Sequence, residues 1–259
     1  MIVLYEHPLS PYAQKVKIAL AEKAVPFESR LPDILGGDLR EFLPLNPRLE
    51  VPTLVDGDVA VFDSTIILEY VEERWPNPPL LPVGAAERAR VRMLEELCDT
   101  YYEAINWAIF EIRVFQRATG NLAQRLEARA ASQRAGCNAY LERALGTQRY
   151  FNGDTFGWGD LAVVPFVHAA AITGAPPAEG SALAAWHARV VERPSVASTL
   201  QAATQSMSGF EMLPQLVASG QFRREYRDHR LEWMVRSGAV DVVLDGIRNG
   251  NIRFSRELE

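Results

Sequence analysis

The chain has 259 residues, 48% hydrophobic and 23% charged, with a formal net charge of −6, enough for about two domains with full cores. That balance argues against a general nucleic-acid binder or a protein held at an anionic membrane surface, and no apolar run reaches the roughly 20 residues a spanning helix needs. Cys98 and Cys137 are the two cysteines, on helical patterns, and read as reduced thiols; the start lacks the basic region and cleavage site of a signal peptide, so the expectation is a cytoplasmic protein with no membrane partner.

Residues 2–5 read as a strand. Ser10-Pro11 then pairs a good N-cap with a good first helical residue, and Val16, Ala19 and Leu20 continue at helical spacing. A helix start presents unpaired N–H groups and a partial positive charge. Ser10 is therefore placed either simply to cap this helix or to hydrogen-bond a thiolate. Val25, Phe27 and Leu31 alternate as in a second strand. Gly36-Gly37 breaks the chain, and 38–45 reads as a short helix stopping before Asn46-Pro47.

Pro52 opens the next apolar run. Proline cannot donate to a sheet, so a proline there needs a reason; a cis Val51–Pro52 bond that turns the Val51 backbone toward a ligand supplies one. Asp56-Gly57 signals a hairpin, with 59–62 as the returning strand. Asp63-Ser64 starts a helix carrying Ile66, Ile67, Tyr70 and Val71. The order is strand, helix, strand, helix, strand, strand, helix, or βαβαββα.

The prolines of 76–82 form a linker. Residues 85–115 read as one long helix with Leu94, Leu97, Tyr101, Ile105 and Ala108 on one face. A second runs over 122–145 after Gly120-Asn121, giving an antiparallel helical pair. A buried helix over 154–173, in which Asp160 caps rather than catalyses, and short helices over 184–192 and 195–201 follow. Beyond 205, helical spacing returns over 221–236 and 240–248, and the aromatic and aliphatic content demands a surface to pack on. His168, His187 and His229 are scattered, with no metal spacing, and no metal is expected. His7 reads as a cap of the first strand's end.

Four stretches resemble the cytosolic glutathione transferases: Ser10 to Val16 as the active-site turn of the serine-using tau and zeta classes (and of the omega class, where cysteine replaces serine), Asn46-Pro47 through Val51-Pro52 as the cis-proline loop, Asp63-Ser64 as the acid–serine pair, and Phe151-Asn152-Gly153-Asp154 with Asp160-Leu161-Ala162 as the capping-box helix of the all-helical half. The resemblance implies an α/β thioredoxin-like glutathione-binding domain over 1–78, an all-helical substrate domain over 84–204, and an extension over 205–259 packed on the helical domain. It implies that Ser10 hydrogen-bonds the glutathione thiolate, that Val51 beside Pro52 pairs with the cysteinyl backbone, and that Asp63 and Ser64 take the γ-glutamyl end. The co-substrates would be glutathione and a small hydrophobic electrophile, in a cleft lined by Tyr12, Tyr101, Tyr102, Trp107 and Phe110, within a homodimer. Aromatic residues at helical spacing equally suit a core.

Glu50 departs from the pattern, because glutathione users often carry lysine or glutamine just before the cis-proline valine. An inward Glu50 would repel the glycyl carboxylate, with Arg40 or Arg48 as substitute cations. Residues 16–22, 45–56 and 66–83 also resemble the stringent starvation protein A family, which keeps the fold, does not use glutathione and binds RNA polymerase; that family does not keep Ser10-Pro11.

Overall fold

The computed structural model describes residues 1–32, 40–207 and 210–255. β1 (Ile2–Tyr5) leads into α1 (Pro11–Glu22), capped by Ser10, whose side chain accepts from the Ala13 amide; α1 buries Val16, Ile18, Ala19 and Leu20. β2 (Phe27–Arg30) runs parallel to β1, completing a βαβ unit. β3 (Thr53–Asp56) and β4 (Val59–Phe62) form the expected hairpin around Gly57, at φ +60°. The sheet order is β2-β1-β3-β4, with β1 antiparallel to β3.

The short helix expected over 38–45 is not seen in its described part. Arg40–Leu45 forms turns, in which the Phe42 carbonyl accepts from both Leu45 and Asn46; positions 38 and 39, and the expected Gly36-Gly37 break, lie outside the described residues. Pro44, which has no amide to donate, sits inside that stretch.

α2 (Ser64–Arg74) buries Ile67, Leu68 and Val71. The linker that follows is pinned, not slack. Lys23 Nζ reaches the Trp75 and Pro78 carbonyls at 2.7 and 2.8 Å, and Glu72 accepts from the Leu80 amide at 2.9 Å. The Val51–Pro52 and Asn77–Pro78 peptides are both cis.

The expected long helix is α3 (Ala85–Glu96) and α4 (Glu103–Arg113), joined by a π-helical stretch at Leu97–Tyr102. α5 (Gly120–Leu145) packs back against α4. α6 (Trp158–Ile172) is the centre of the helical half and is buried along most of its length. Asp160 ties its start together: Oδ1 accepts from the Phe151 amide at 2.9 Å and from Trp186 Nε1 at 2.8 Å, and Oδ2 from the Gly157 amide at 3.0 Å. A side chain at Gly157 would meet Asn152 Nδ2 at 2.1 Å and the Leu80 carbonyl at 2.5 Å, so the close approach there requires glycine. α7 (Ala182–Val191) and α8 (Pro194–Gln205) complete this layer. Arg193 and Ser195 bind Glu22 of α1.

The remaining chain forms α9 (Leu213–Ala218), β5 (Arg224–Glu225), α10 (Asp228–Arg236), α11 (Val240–Arg248) and β6 (Ile252–Arg253), which pairs in parallel with β5. This segment lies on α4. Arg224 Nε and the Tyr226 hydroxyl both donate to the buried Glu111 at 2.6 Å, and the Trp107 and Tyr226 rings meet edge to face at 4.8 Å. Among the described residues no helix is long and apolar enough to cross a membrane.

Candidate functional site

Strand register gathers three of the sequence motifs at one end of the sheet. Tyr5 of β1 pairs with Thr53 of β3, and Thr53 with Phe62 of β4. The Ser10 turn leaves β1 at that end, Val51-Pro52 enters β3 there, and Asp63-Ser64 leaves β4 there.

The Ser10 turn is braced from both sides. Ser10 N donates to the His7 carbonyl at 2.8 Å, Gln14 Nε2 donates to the Pro8 carbonyl at 2.8 Å, and the Leu9 amide donates to His7 Nδ1 at 3.2 Å. Burial lowers the basicity of His7. Ser10 Oγ accepts from the Ala13 amide at 3.3 Å, so its hydroxyl proton is directed away from the helix it caps. The loop leading into Val51-Pro52 is held by Asn46, a residue whose role only the structure reveals. Its Nδ2 donates to the Glu50 carbonyl and to Thr53 Oγ1 at 2.8 and 3.1 Å, and its Oδ1 accepts from the Arg48 amide.

Asp63, at φ +73°, caps α2 by accepting from the Thr65 amide at 3.0 Å; it is exposed, whereas Ser64 is buried. Behind this cap, at the seam between the two halves, lies a charge cluster. Lys15 Nζ is 2.7 Å from Glu95 Oε1 and 2.5 Å from Asp99 Oδ2. Glu95 also accepts from Thr65 Oγ1 at 2.9 Å and Trp158 Nε1 at 2.6 Å. Asp99 Oδ1 is buried, with no hydrogen-bond partner among the described residues. Burial, with Glu95 nearby, outweighs Lys15 and pushes the Asp99 carboxyl up to about 7. Asp63 adds to that push, so a cation held near Asp63 would also relieve Asp99.

The expected cleft aromatics divide. Tyr12 follows Ser10 on α1 and donates to the Asp99 carbonyl at 2.7 Å, a group carried by the π-helical stretch. Tyr102 is closed to solvent, its hydroxyl donating to Asn138 Oδ1 at 2.7 Å. Tyr101 points outward and Phe110 is half-buried. Trp107 is covered by the C-terminal segment, with Arg230 over its ring. Cys98 and Cys137 are buried free thiols, and burial pushes Cys137 up to about 12. The histidines read as scattered include one pair: His168 Nδ1 and His187 Nε2 lie 3.4 Å apart.

Glu50 points into a mixed cluster. Arg48 Nη2 is 3.0 Å from Oε2, and Arg227 Nη2 of the C-terminal segment is 3.1 Å from Oε1, a charge contact without hydrogen-bond alignment. Burial, then Glu225, raises its carboxyl. Two guanidiniums therefore stand where the sequence suggests a missing cation. Two residues further on, His229 Nε2 lies 2.8 Å from Glu103 Oε2 and 3.3 Å from the Tyr12 hydroxyl. Arg230 grips the same carboxylate at 2.6 Å. Arg230 and His229 overcome burial and hold Glu103 at about 2.

Comparison with known proteins identifies the family and the fold. Residues 4–79 match the family described as "Glutathione S-transferase, N-terminal domain" and 123–189 its C-terminal counterpart. A curated glutathione S-transferase of Arabidopsis thaliana is 31% identical over 77% of this chain and 89% of its own length. A stringent starvation protein A homolog of Haemophilus ducreyi is 32% identical over 73% of this chain and 85% of its own length. Among solved structures, a Rhodospirillum rubrum glutathione S-transferase superposes with TM-score 0.67 at 31% identity, covering 77% of this chain and 92% of the other. A rice enzyme in complex with glutathione superposes with TM-score 0.67 at 29% identity, covering 83% and 97%. With the βαβ–ββα half, the helical half and full-length relatives in agreement, the chain belongs to the glutathione S-transferase superfamily.

Proposed function

We propose that the protein is a glutathione-using transferase acting on a hydrophobic electrophile. The observation that supports this most is the meeting of Ser10, Val51 and Asp63-Ser64 at one end of the sheet through the Tyr5–Thr53–Phe62 register. Ser10 Oγ, already accepting from Ala13, has its proton free to donate to a thiolate, which lowers the thiol's pKa and keeps the sulfur nucleophilic near neutral pH. Val51 offers its backbone to the cysteinyl unit, the α2 N-terminus with Ser64 takes the γ-glutamyl carboxylate, and Asp63 its ammonium group. Ser10 binds the sulfur; the sulfur is the nucleophile. The protein contributes proximity and thiolate stabilisation.

The same reading makes the protein a cytoplasmic homodimer. A second copy would be expected to cover the exposed apolar side chains beside the depression of about 590 Å³ lined by Arg48, Ala60, Val61, Phe62, Asp63 and Ile66. Ile66 and Met93, 56% and 63% exposed, stand on the facing helices α2 and α3, which the Glu69–Arg92 ion pair holds together.

A second reading is a non-catalytic binding protein like stringent starvation protein A, with RNA polymerase as partner. Glu50 at the cis-proline loop and the relatives of that name favour it. Thermal denaturation with millimolar reduced glutathione separates the two. A ligand at about 100 times its Kd adds roughly 2.7 kcal/mol of stability. A clear upward shift, larger still in Glu50→Lys, supports the transferase. No shift in either protein overturns it and directs attention to polymerase binding.

A further inference from the structure

Three cations are buried among the described residues: Lys15, Lys23 and Arg134. Lys15 holds Glu95 and Asp99, and Lys23 holds Glu72. Arg134, on α5, is 2% exposed, and no carboxylate among the described residues pairs with it. Its Nε and Nη2 are both buried with no hydrogen-bond partner among the described residues. Those two atoms are the parallel donors on one edge of the guanidinium fork. Elsewhere in the chain that edge grips carboxylates. Arg193 holds Glu22 with it at 2.6 and 2.7 Å, and Arg230 holds Glu103 with it at 3.1 and 2.6 Å. On Arg134 the same edge is closed to solvent and meets no acid.

The pairing of α4 with α5 sets what stands opposite. Tyr102, just before α4, donates to Asn138, and Arg113 at its far end binds Glu127. This antiparallel register brings Asn106 level with Arg134, on the helical stripe that also carries Tyr102 and Arg113. Asn106 donates through Nδ2 to the Phe166 carbonyl of α6, and its buried Oδ1 has no hydrogen-bond partner among the described residues. The titratable groups close to Arg134 are Tyr102, Arg113 and Cys137. Burial raises the Tyr102 phenol and the Cys137 thiol, so both are neutral near pH 7, and Arg113 carries the same sign as Arg134. Burial lowers Arg134 to about 10, which leaves it charged. An uncompensated buried charge is costly, and a water molecule at the fork supplies acceptors but no charge.

We propose that Arg134 holds a small planar oxyanion of the carboxylate class, of the size of formate or bicarbonate, between α4 and α5. Two of its oxygens accept from Nε and Nη2, and its charge balances the guanidinium. Asn106 Oδ1, an acceptor, favours bicarbonate of the two, because the bicarbonate hydroxyl donates while its other oxygens accept. The site shares no residue with the Ser10 turn and stands whether or not the chain uses glutathione.

The test is thermal denaturation of wild type, Arg134→Met and Arg134→Lys, dialysed into sodium chloride and then given sodium formate or bicarbonate at equal pH and ionic strength. Wild type should gain roughly 3 °C in midpoint for each tenfold rise in either oxyanion above its Kd, beyond any change in chloride. Arg134→Met fills the volume without charge and should show no such gain. Arg134→Lys keeps the charge without the fork and should respond to formate no more than to chloride. Wild type with the same midpoint in oxyanion and chloride overturns the proposal and leaves water at the fork. A full gain in either variant overturns it as well, by placing the anion away from the Arg134 fork. Carbon-13 spectra of labelled formate give a reading that needs no variant: a broadened signal, restored by excess unlabelled formate, is expected with wild type, and an unbroadened one overturns the proposal. Formate acting at lower concentration than bicarbonate overturns the part given to Asn106.

Discussion

Lys15 Nζ lies 2.7 Å from Glu95 Oε1, in the seam between the two halves of the molecule, with the lysine side chain closed to solvent and that of Glu95 3% exposed. Lys15 also binds Asp99, so one cation serves two buried carboxylates. Thr65 and Trp158 supply further donors to Glu95 alone. Asp99 is left the less well compensated, which fits an Oδ1 that has no hydrogen-bond partner among the described residues. Removing one partner of a buried ion pair strands the other charge, at a cost of about 3–5 kcal/mol. Lys15→Met should lower stability by about that much in urea denaturation; a loss below about 1 kcal/mol would mean that the seam is hydrated and the cluster weak.

Asp99 and Glu103 respond to pH in opposite directions. Asp99 titrates at about 7 in the folded chain against 3.8 for a free side chain. Its contribution is therefore most favourable below about pH 4, falls as pH rises through 7, and is constant above that. The stability of wild type relative to Asp99→Asn should decline over this window, by on the order of 4 kcal/mol. A difference that is flat from pH 4 to 8 would show that Asp99 is ionised throughout.

Glu103 is held at about 2 against 4.5 when free. Its stabilisation is complete above about pH 4.5 and vanishes as pH falls through 2. Relative to Glu103→Gln, wild type should be more stable at pH 7 and lose that advantage in acid, by on the order of 3 kcal/mol. A variant that matches wild type at pH 7 would mean that Arg230 and His229 only offset the burial of the charge.

Local chemistry made the first half legible in the sequence. Ser10-Pro11, Asp56-Gly57 and Asp63-Ser64 act through their own neighbours, and each stands where its pattern puts it. The seam was not legible, because Lys15 and Asp99 meet across 84 positions and nothing near either names the other. Aromatic spacing on the long helix showed that a face is apolar but not what covers it: Tyr102 turns into the core, Tyr101 to solvent, and Trp107 under Tyr226. The same gap hid the site's second shore. His229 follows Tyr12 by 217 positions, and Arg227 answers Glu50 from a segment whose sequence pattern indicated only a helix.

Glu50 sets the charge balance of the site. It occupies Arg48 and Arg227 together, so neither is free for an anionic ligand. Glu50→Gln keeps the size and releases Arg48, whereas Arg227 stays paired with Glu225 at 2.6 Å and Asp228 at 3.1 Å. For partly exposed pairs of this kind the gain is modest, about 1 kcal/mol, or roughly fivefold in affinity for glutathione. Isothermal titration of both proteins at low salt measures it. Weaker binding by the variant would mean that Glu50 holds the two arginines in their useful orientation.

The C-terminal segment is part of the fold as well as of the site. Glu103 and Glu111 are both buried on α4, and their partners Arg224, Tyr226, His229 and Arg230 all come from this segment. A chain ending at Met207 would strand both carboxylates and uncover Trp107, which is 6% exposed in the intact chain. Two unpaired charges and an exposed indole should lower the denaturation midpoint sharply and shift tryptophan emission to the red. The turn around Ser10 is braced by His7, Pro8, Gln14 and Ala13, none of them in the segment, so residual glutathione binding should outlast the loss of stability. An unchanged midpoint would show that α4 reorients its acids to water at little cost, and the segment would then serve the cleft alone.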